Sequence, residues 1–151
     1  MVYLVRHGDA VAASENPARP LSRAGRAGVE QVARLARERQ VEVSAICHSG
    51  ILRAEETAEI LAKHLFPSGG VKAISGLAPD DDPAVGKAEL EAAADPIMFV
   101  GHLPYMARLA ALLVRGDMEA AVVEFPPAAM VCCSRAGAQW KIEWQLAPPR
   151  R

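Results

Sequence analysis

The chain has few cysteines, little net charge and no long apolar run. Three of its 151 residues are cysteine, and the formal net charge is −1. Cys132 and Cys133 are adjacent while Cys47 stands apart, and this odd count and spacing exclude a disulfide framework. We therefore expect a reducing, cytoplasmic compartment in which all three thiols are small buried hydrophobes.

The low net charge and the lack of long apolar segments also exclude several classes of partner. A near-neutral chain has no overall field to attract nucleic acid or an anionic membrane, so we expect neither as a partner. No apolar run approaches the roughly 20 residues of a membrane-spanning helix, and the N-terminus lacks the regions of a signal peptide. The histidines form no spaced ligand set with cysteine or carboxylate, so we expect no metal and no cofactor.

Short apolar runs instead alternate with helical patterns along the chain. Strands are predicted at 1–6, 44–48, 71–75 and 97–101. Helices are predicted at 22–39, 51–65, 84–94 and 104–115, the first with Ser22 as its N-cap. A final antiparallel hairpin is predicted from strands at 130–134 and 139–146. This order predicts a three-layer α/β/α fold with a mostly parallel sheet, in one domain over 1–151.

Histidine and arginine follow three of these predicted strands. Arg6 and His7 end the first strand, His48 ends the second with Arg53 shortly beyond, and His102 follows the fourth. The carboxyl ends of parallel strands are where ligands bind in open α/β sheets. An imidazole nucleophile beside guanidinium groups suits phosphoryl transfer, because the ring takes the phosphoryl group while the cations hold its oxygens.

Several motifs resemble one known family. Arg6-His7-Gly8-Asp9-Ala10 resembles the signature of the histidine phosphatase superfamily, which has the phosphoglycerate-mutase-like fold. Motifs similar to the small SixA-type phosphohistidine phosphatases follow in order: Arg19-Pro20-Leu21-Ser22 with Gly25, Leu52-Arg53-Ala54-Glu55-Glu56-Thr57, Gly101-His102-Leu103-Pro104, Phe125-Pro126-Pro127 and Trp144-Gln145-Leu146.

The resemblance implies a phosphatase that acts on phosphohistidine in a signalling or phosphotransfer protein. It makes His7 the nucleophile and places Arg6, Arg53 and His102 around the phosphoryl group. Arg19 and Ser49 would add to the phosphate site. The chain departs from the pattern at Gly50, where relatives often carry proline or serine. His48 is either a further polar contact in this site or a strand residue that points elsewhere.

Other functions remain open at this stage. Cys47 and Arg53 have the Cys-x5-Arg spacing of cysteine phosphatases, although Cys47 lies inside a predicted strand. A non-catalytic phosphate-binding module would not need a nucleophile. A small-metabolite phosphatase needs a general acid for an alkoxide leaving group. Larger relatives carry a glutamate for this after the third strand, where this chain has Asp80, Asp81 and Asp82.

Overall fold

The structure is a computed structural model that describes residues 1–149. Six strands form one sheet with four helices around it. The strands are β1 (Val2–Arg6), β2 (Ala45–His48), β3 (Val71–Ala73), β4 (Ile97–Gly101), β5 (Met130–Ala136) and β6 (Gln139–Leu146). The helices are α1 (Arg23–Glu38), α2 (Leu52–Leu65), α3 (Pro83–Ala92) and α4 (Tyr105–Arg115). Over the described residues, no helix has the length and apolar character needed to cross a membrane.

The sheet has the order β3-β2-β4-β1-β5-β6. Neighbouring strands from β3 to β1 run parallel, whereas β5 pairs antiparallel with β1 and β6 antiparallel with β5. The apolar run of β4 is central and buried, as fully apolar strands in parallel sheets are. The predicted α/β fold with a mostly parallel sheet and a C-terminal hairpin is confirmed.

Each face of the sheet carries its own hydrophobic core. Alternate residues of β1 point to opposite faces: Tyr3 and Val5 pack with α1 and α2, while Val2 and Leu4 pack with α3 and α4. This division follows from the two-residue period of a strand. The result is the three-layer arrangement that the alternating pattern predicts.

The predicted helix starts are correct to within one residue. The Ser22 hydroxyl accepts a hydrogen bond from the Gly25 amide at 2.9 Å, which confirms the predicted N-cap of α1. The third helix begins one residue earlier than expected. Asp82 caps it by accepting from the Ala84 amide at 2.9 Å, and Pro83 takes the first helical position.

The hairpin differs from the prediction in two ways. Its turn is shorter than the expected 135–138, because β5 continues to Ala136 and Gly137 turns the chain with a φ of 62°. The register also slips, so that Glu143 is an extra residue between the partners of Cys132 and Cys133. Trp140 therefore packs in the α3–α4 core and Trp144 against the α1–α2 core, although simple alternation predicts one shared face.

Candidate active site

Three parallel strands end side by side at one edge of the sheet. In register, Arg6 of β1 lies opposite Gly101 of β4, and His48 of β2 lies opposite Val100. The His7 amide donates to the Gly101 carbonyl at 2.9 Å, so the chain beyond β1 stays beside β4. The rings of His7 and His102 consequently lie with their centroids 5.0 Å apart.

The His7 ring has one defined tautomer. Its Nδ1 lies 2.6 Å from the Gly8 carbonyl oxygen, which can only accept, so Nδ1 carries the proton. Nε2 therefore keeps its lone pair. Burial, followed by the charges of Arg53, Arg6 and Arg19, lowers the pKa of His7 to about 4, against the opposing effect of the Gly8 bond. At neutral pH the ring is an uncharged base with Nε2 available as a nucleophile.

Both polar groups of the peptide bond between His7 and Gly8 are hydrogen-bonded. The Gly8 amide donates to Thr57 Oγ1 at 3.1 Å, and the His7 carbonyl accepts from the Ala128 amide at 3.1 Å. The Thr57 hydroxyl in turn donates to the Arg53 carbonyl at 2.8 Å. Sequence reasoning gave Thr57 no role, although a hydroxyl on the buried face of α2 was a signal for one.

Close packing of α1 fixes the loop that follows His7. A Cβ added at Gly8 would lie 2.6 Å from Val29 Cγ2, and one added at Gly25 would collide with the Asp9 carbonyl. Both positions therefore accept no side chain. The start of α1 rests directly on the chain that leaves His7.

Unpartnered buried nitrogen atoms are concentrated around His7. Among residues 1–149, four buried side-chain polar atoms have no hydrogen-bond partner, and three of them are Arg6 Nε, Arg53 Nε and His102 Nδ1. Arg6 also donates from Nη1 to the Phe125 carbonyl at 2.9 Å, which orients its guanidinium. Because buried polar groups are nearly always paired, such a cluster indicates a site for a ligand with acceptor oxygens.

Ser49 contacts His102 directly. Its hydroxyl oxygen lies 2.7 Å from His102 Nε2 and also accepts from the Ile51 amide at 3.2 Å. Burial, followed by His7 and Arg53, lowers the pKa of His102 to about 3, so this ring is also neutral at neutral pH. The predicted role of Ser49 as a phosphate ligand is not tested by this contact, which by itself orients His102.

Arg19 reaches the same region from the loop between β1 and α1. Its backbone is left-handed, with a φ of 48°, and its Nε donates to the Val11 carbonyl at 3.0 Å. The charge of Arg19 contributes to the lowered pKa values of both His7 and Arg53, after burial in each case. The structure thus brings Arg6, Arg19 and Arg53 into the surroundings of His7.

The remaining candidates have structural contacts of their own. The buried His48 accepts the Gly50 amide on Nδ1 at 3.0 Å and so supports the turn after β2. The Asp81 carboxylate accepts from the Ala78 amide at 2.9 Å, and Asp82 caps α3. Asp80 is exposed.

Cys47 does not lie at the site. Its side chain is buried in the α3–α4 core, and burial raises the pKa of the thiol. A cysteine phosphatase needs a thiolate at the phosphate loop, so this geometry opposes the Cys-x5-Arg alternative. Within the described part of the chain, no group of three or more His, Cys, Asp or Glu side chains is arranged to hold a metal ion.

Comparison with known proteins agrees with this geometry. Residues 2–72 match the family described as the histidine phosphatase superfamily (branch 1). The phosphohistidine phosphatase SixA of Escherichia coli K12 is 29% identical over 121 residues, which cover 77% of this chain and 75% of that protein.

Solved structures extend the likeness over almost the whole chain. A tungstate complex of the protein histidine phosphatase SixA superposes with a TM-score of 0.84 at 27% identity, covering 97% of this chain and 96% of that one. A structure from Agrobacterium tumefaciens, described as a SixA phosphohistidine phosphatase, has a TM-score of 0.80 at 25% identity and covers 98% and 97%. The chain is therefore similar to the histidine phosphatase superfamily in sequence over residues 2–72 and to SixA structures in fold over almost its whole length.

Proposed function

We propose that this protein is a phosphatase that removes the phosphoryl group from phosphohistidine in a cytoplasmic signalling or phosphotransfer protein, with His7 as its nucleophile. The observation that carries the proposal is the ring of buried donors on Arg6, Arg53 and His102 around a neutral His7. Donors that surround His7 in this way match the acceptor oxygens of a phosphoryl group. The likeness to SixA supports phosphohistidine as the substrate class.

The first step transfers the phosphoryl group to His7. The lone pair on Nε2 forms a bond to phosphorus while the phosphorus–nitrogen bond of the substrate breaks. Arg6, Arg53 and Arg19 stabilise the negative charge on the phosphoryl oxygens, and they are in place before the reaction begins. The bond from His7 Nδ1 to the Gly8 carbonyl stabilises the positive charge that the ring gains.

The second step hydrolyses the enzyme intermediate. Water attacks phosphorus, the bond to Nε2 breaks, and its electron pair returns to the His7 ring. The water proton passes to solvent and phosphate leaves. If the Ser49 hydroxyl donates to Nε2 of the neutral His102 ring, the ring proton lies on Nδ1, which would then donate to a phosphoryl oxygen.

The side chains after β3 favour an easily displaced leaving group. Imidazole leaves phosphohistidine as a neutral ring when its other nitrogen is protonated, whereas an alkyl ester leaves as a basic alkoxide that needs a general acid. The Asp81 and Asp82 carboxylates already accept hydrogen bonds from the Ala78 and Ala84 amides. Asp80 is exposed at the start of this acidic run. None is held as a buried proton donor.

A substrate panel tests the proposal. We expect kcat/KM for a phosphohistidine protein to exceed that for glycerol phosphate or phosphoglycerate by orders of magnitude, and Asp80→Ala to leave the first value unchanged. An aryl phosphate, with its weakly basic leaving group, serves as the positive control for small substrates. Efficient hydrolysis of a sugar phosphate that collapses in Asp80→Ala or Asp81→Ala would replace this proposal with a small-metabolite phosphatase.

A further inference from the structure

Glu56 uses both carboxylate oxygens to connect three parts of the chain. Its Oε1 accepts from the Leu21 amide at 2.7 Å, and its Oε2 pairs with Arg26 Nη2 at 2.6 Å. The Glu56 side chain is 16% exposed, whereas that of Arg26 is 52% exposed. The partly buried bond to Leu21 is therefore expected to matter more than the solvent-screened ion pair.

Leu21 lies at the end of the loop that carries Arg19. This loop, residues 10–21, is closed by a bridge between Ala10 and Leu21 and by a hydrogen bond from the Val11 amide to the Pro20 carbonyl at 2.9 Å. Within the loop, the Arg19 amide donates to the Asn16 carbonyl at 2.9 Å. These hydrogen bonds lie within the loop, whereas the bond from the Leu21 amide to Glu56 connects the end of the loop to α2.

Glu56 and Arg53 lie on neighbouring positions of one helix face. They are three residues apart on α2, a spacing that places side chains side by side. Helix α2 therefore carries Arg53 of the proposed phosphate site. It also carries the Glu56 carboxylate, which binds the end of the loop that contains Arg19.

The two arginines repel each other. Burial, followed by the charge of Arg19, lowers the pKa of Arg53, as expected for two cations close enough to repel each other. Arg19 also has a left-handed backbone, which is unfavourable for a residue with a side chain. Both effects oppose this position of Arg19, so contacts from the surrounding structure are needed to offset them.

We propose that Glu56 is a positioning residue that holds the 10–21 loop against α2, so that Arg19 stays beside Arg53 before a phosphoryl group arrives. The inference rests on the proposed function in one respect, namely that Arg19 binds the phosphoryl oxygens. It assigns Glu56 no contact with the substrate. Glu56 therefore affects turnover only by positioning Arg19.

A double-mutant cycle with Arg19 tests this. We expect Glu56→Ala to lower kcat/KM for an aryl phosphate and the affinity for tungstate by about tenfold, because a displaced donor loses much of its effect. In an Arg19→Ala background, the same substitution should change both by less than about twofold. Equal losses in the two backgrounds, or no loss in the wild-type background, would overturn the proposal.

Two controls separate the loop contact from the ion pair. Glu56→Gln keeps an oxygen that can accept from the Leu21 amide, and Arg26→Ala removes only the exposed partner. We expect both to stay within about twofold of wild type, the size of a surface ion pair. A tenfold loss in Arg26→Ala would assign the effect to the ion pair instead and reject the proposal.

A substitute variant and a binding measurement cover the cases in which Glu56→Ala does not fold or the protein shows no turnover. Glu56→Met has a similar length without an acceptor, and it replaces Glu56→Ala in the cycle if the alanine variant does not fold. Calorimetric binding of tungstate reports the arrangement of the arginines independently of turnover. A wild-type protein that binds tungstate but hydrolyses no phosphate would refute the proposed function, while the binding cycle would still decide the role of Glu56.

Discussion

The rings of His7 and His102 lie 5.0 Å apart at the carboxyl ends of two neighbouring parallel strands, tilted by 55°. Each is buried, and burial is the largest reason that each has a lowered pKa. Because charge on His7 further disfavours charge on His102, the pair resists double protonation. Burial first and the neighbouring cations second therefore keep His7, the proposed nucleophile, neutral.

This arrangement predicts that neither ring titrates near neutral pH. We expect the ring-proton NMR signals of His7 and His102 to stay constant between about pH 5 and pH 8, where an ordinary histidine changes charge. Protonation should occur near pH 4 for His7 and near pH 3 for His102. Arg53→Ala removes one of the charges that act on His7, so it should raise the pKa of His7.

The same pKa values predict how stability depends on pH. An unfolded His7 titrates at its ordinary value of 6.5, above its folded value of about 4. Between these values the unfolded state binds more protons, so the free energy of unfolding falls as pH decreases from about 6.5 to about 4. Urea titrations across this range test the prediction. In His7→Ala the loss should be smaller, and an unchanged slope would contradict the burial argument.

Replacing the nucleophile should abolish turnover. We expect His7→Ala to form no phosphoenzyme, whereas the wild-type intermediate should be acid-labile and base-stable, as phosphohistidine is. Cys47→Ser is the matched control, because the Cys47 side chain is buried in the α3–α4 core. Full activity in His7→Ala together with an inactive Cys47→Ser would establish the cysteine mechanism instead.

The arginines should account for the positive charge in the site. Arg6→Ala and Arg53→Ala should each lower kcat by about 10²–10³, the usual effect of losing one preorganised donor. The wild-type assay is run with and without EDTA, and we expect EDTA to cause no loss of activity. Inhibition by EDTA that zinc or magnesium reverses would show that a metal supplies charge that we assign to the arginines.

Thr57 should support the nucleophile through the Gly8 amide. Thr57→Val keeps the shape of the side chain but leaves a buried amide unpaired, which costs about 1–3 kcal/mol of stability. Thermal stability and kcat should both decrease. Thr57→Ser retains the hydroxyl and should recover most of the lost activity. A valine variant with wild-type kcat would show that the Gly8 bond is not needed to orient His7.

The sequence predicted the strand ends well and the contacts between them poorly. Strand periodicity is a local property, so the order of residues alone is enough to place Arg6, His7 and His102 at one sheet edge. The bonds of Thr57 and Glu56 join residues 49 and 35 positions apart in the chain, and no local pattern encodes them. The extra residue Glu143 was missed because its neighbours still alternate in sequence, although they divide between two cores.

Gly25 should be the least tolerant glycine of α1. Gly25→Ala should strongly destabilise the fold, because its Cβ would collide with the Asp9 carbonyl, which is backbone and cannot rotate away. Gly28→Ala on the same helix is the control, since its Cβ would meet only the Pro148 ring at 3.3 Å and helix propensity would improve. Equal melting temperatures for the two variants would contradict the close approach of α1 to the loop after His7.

The slipped register at Glu143 also bears on how the protein behaves at high concentration. β6 is an open edge of the sheet, where a strand from another molecule could add and begin a fibril. A bulge there twists the edge, and the charged side chains of Lys141 and Glu143 are exposed along it. The opposite edge, β3, is only three residues long and includes the exposed Lys72. Both borders of the sheet thus carry features that disfavour pairing with a strand of another molecule.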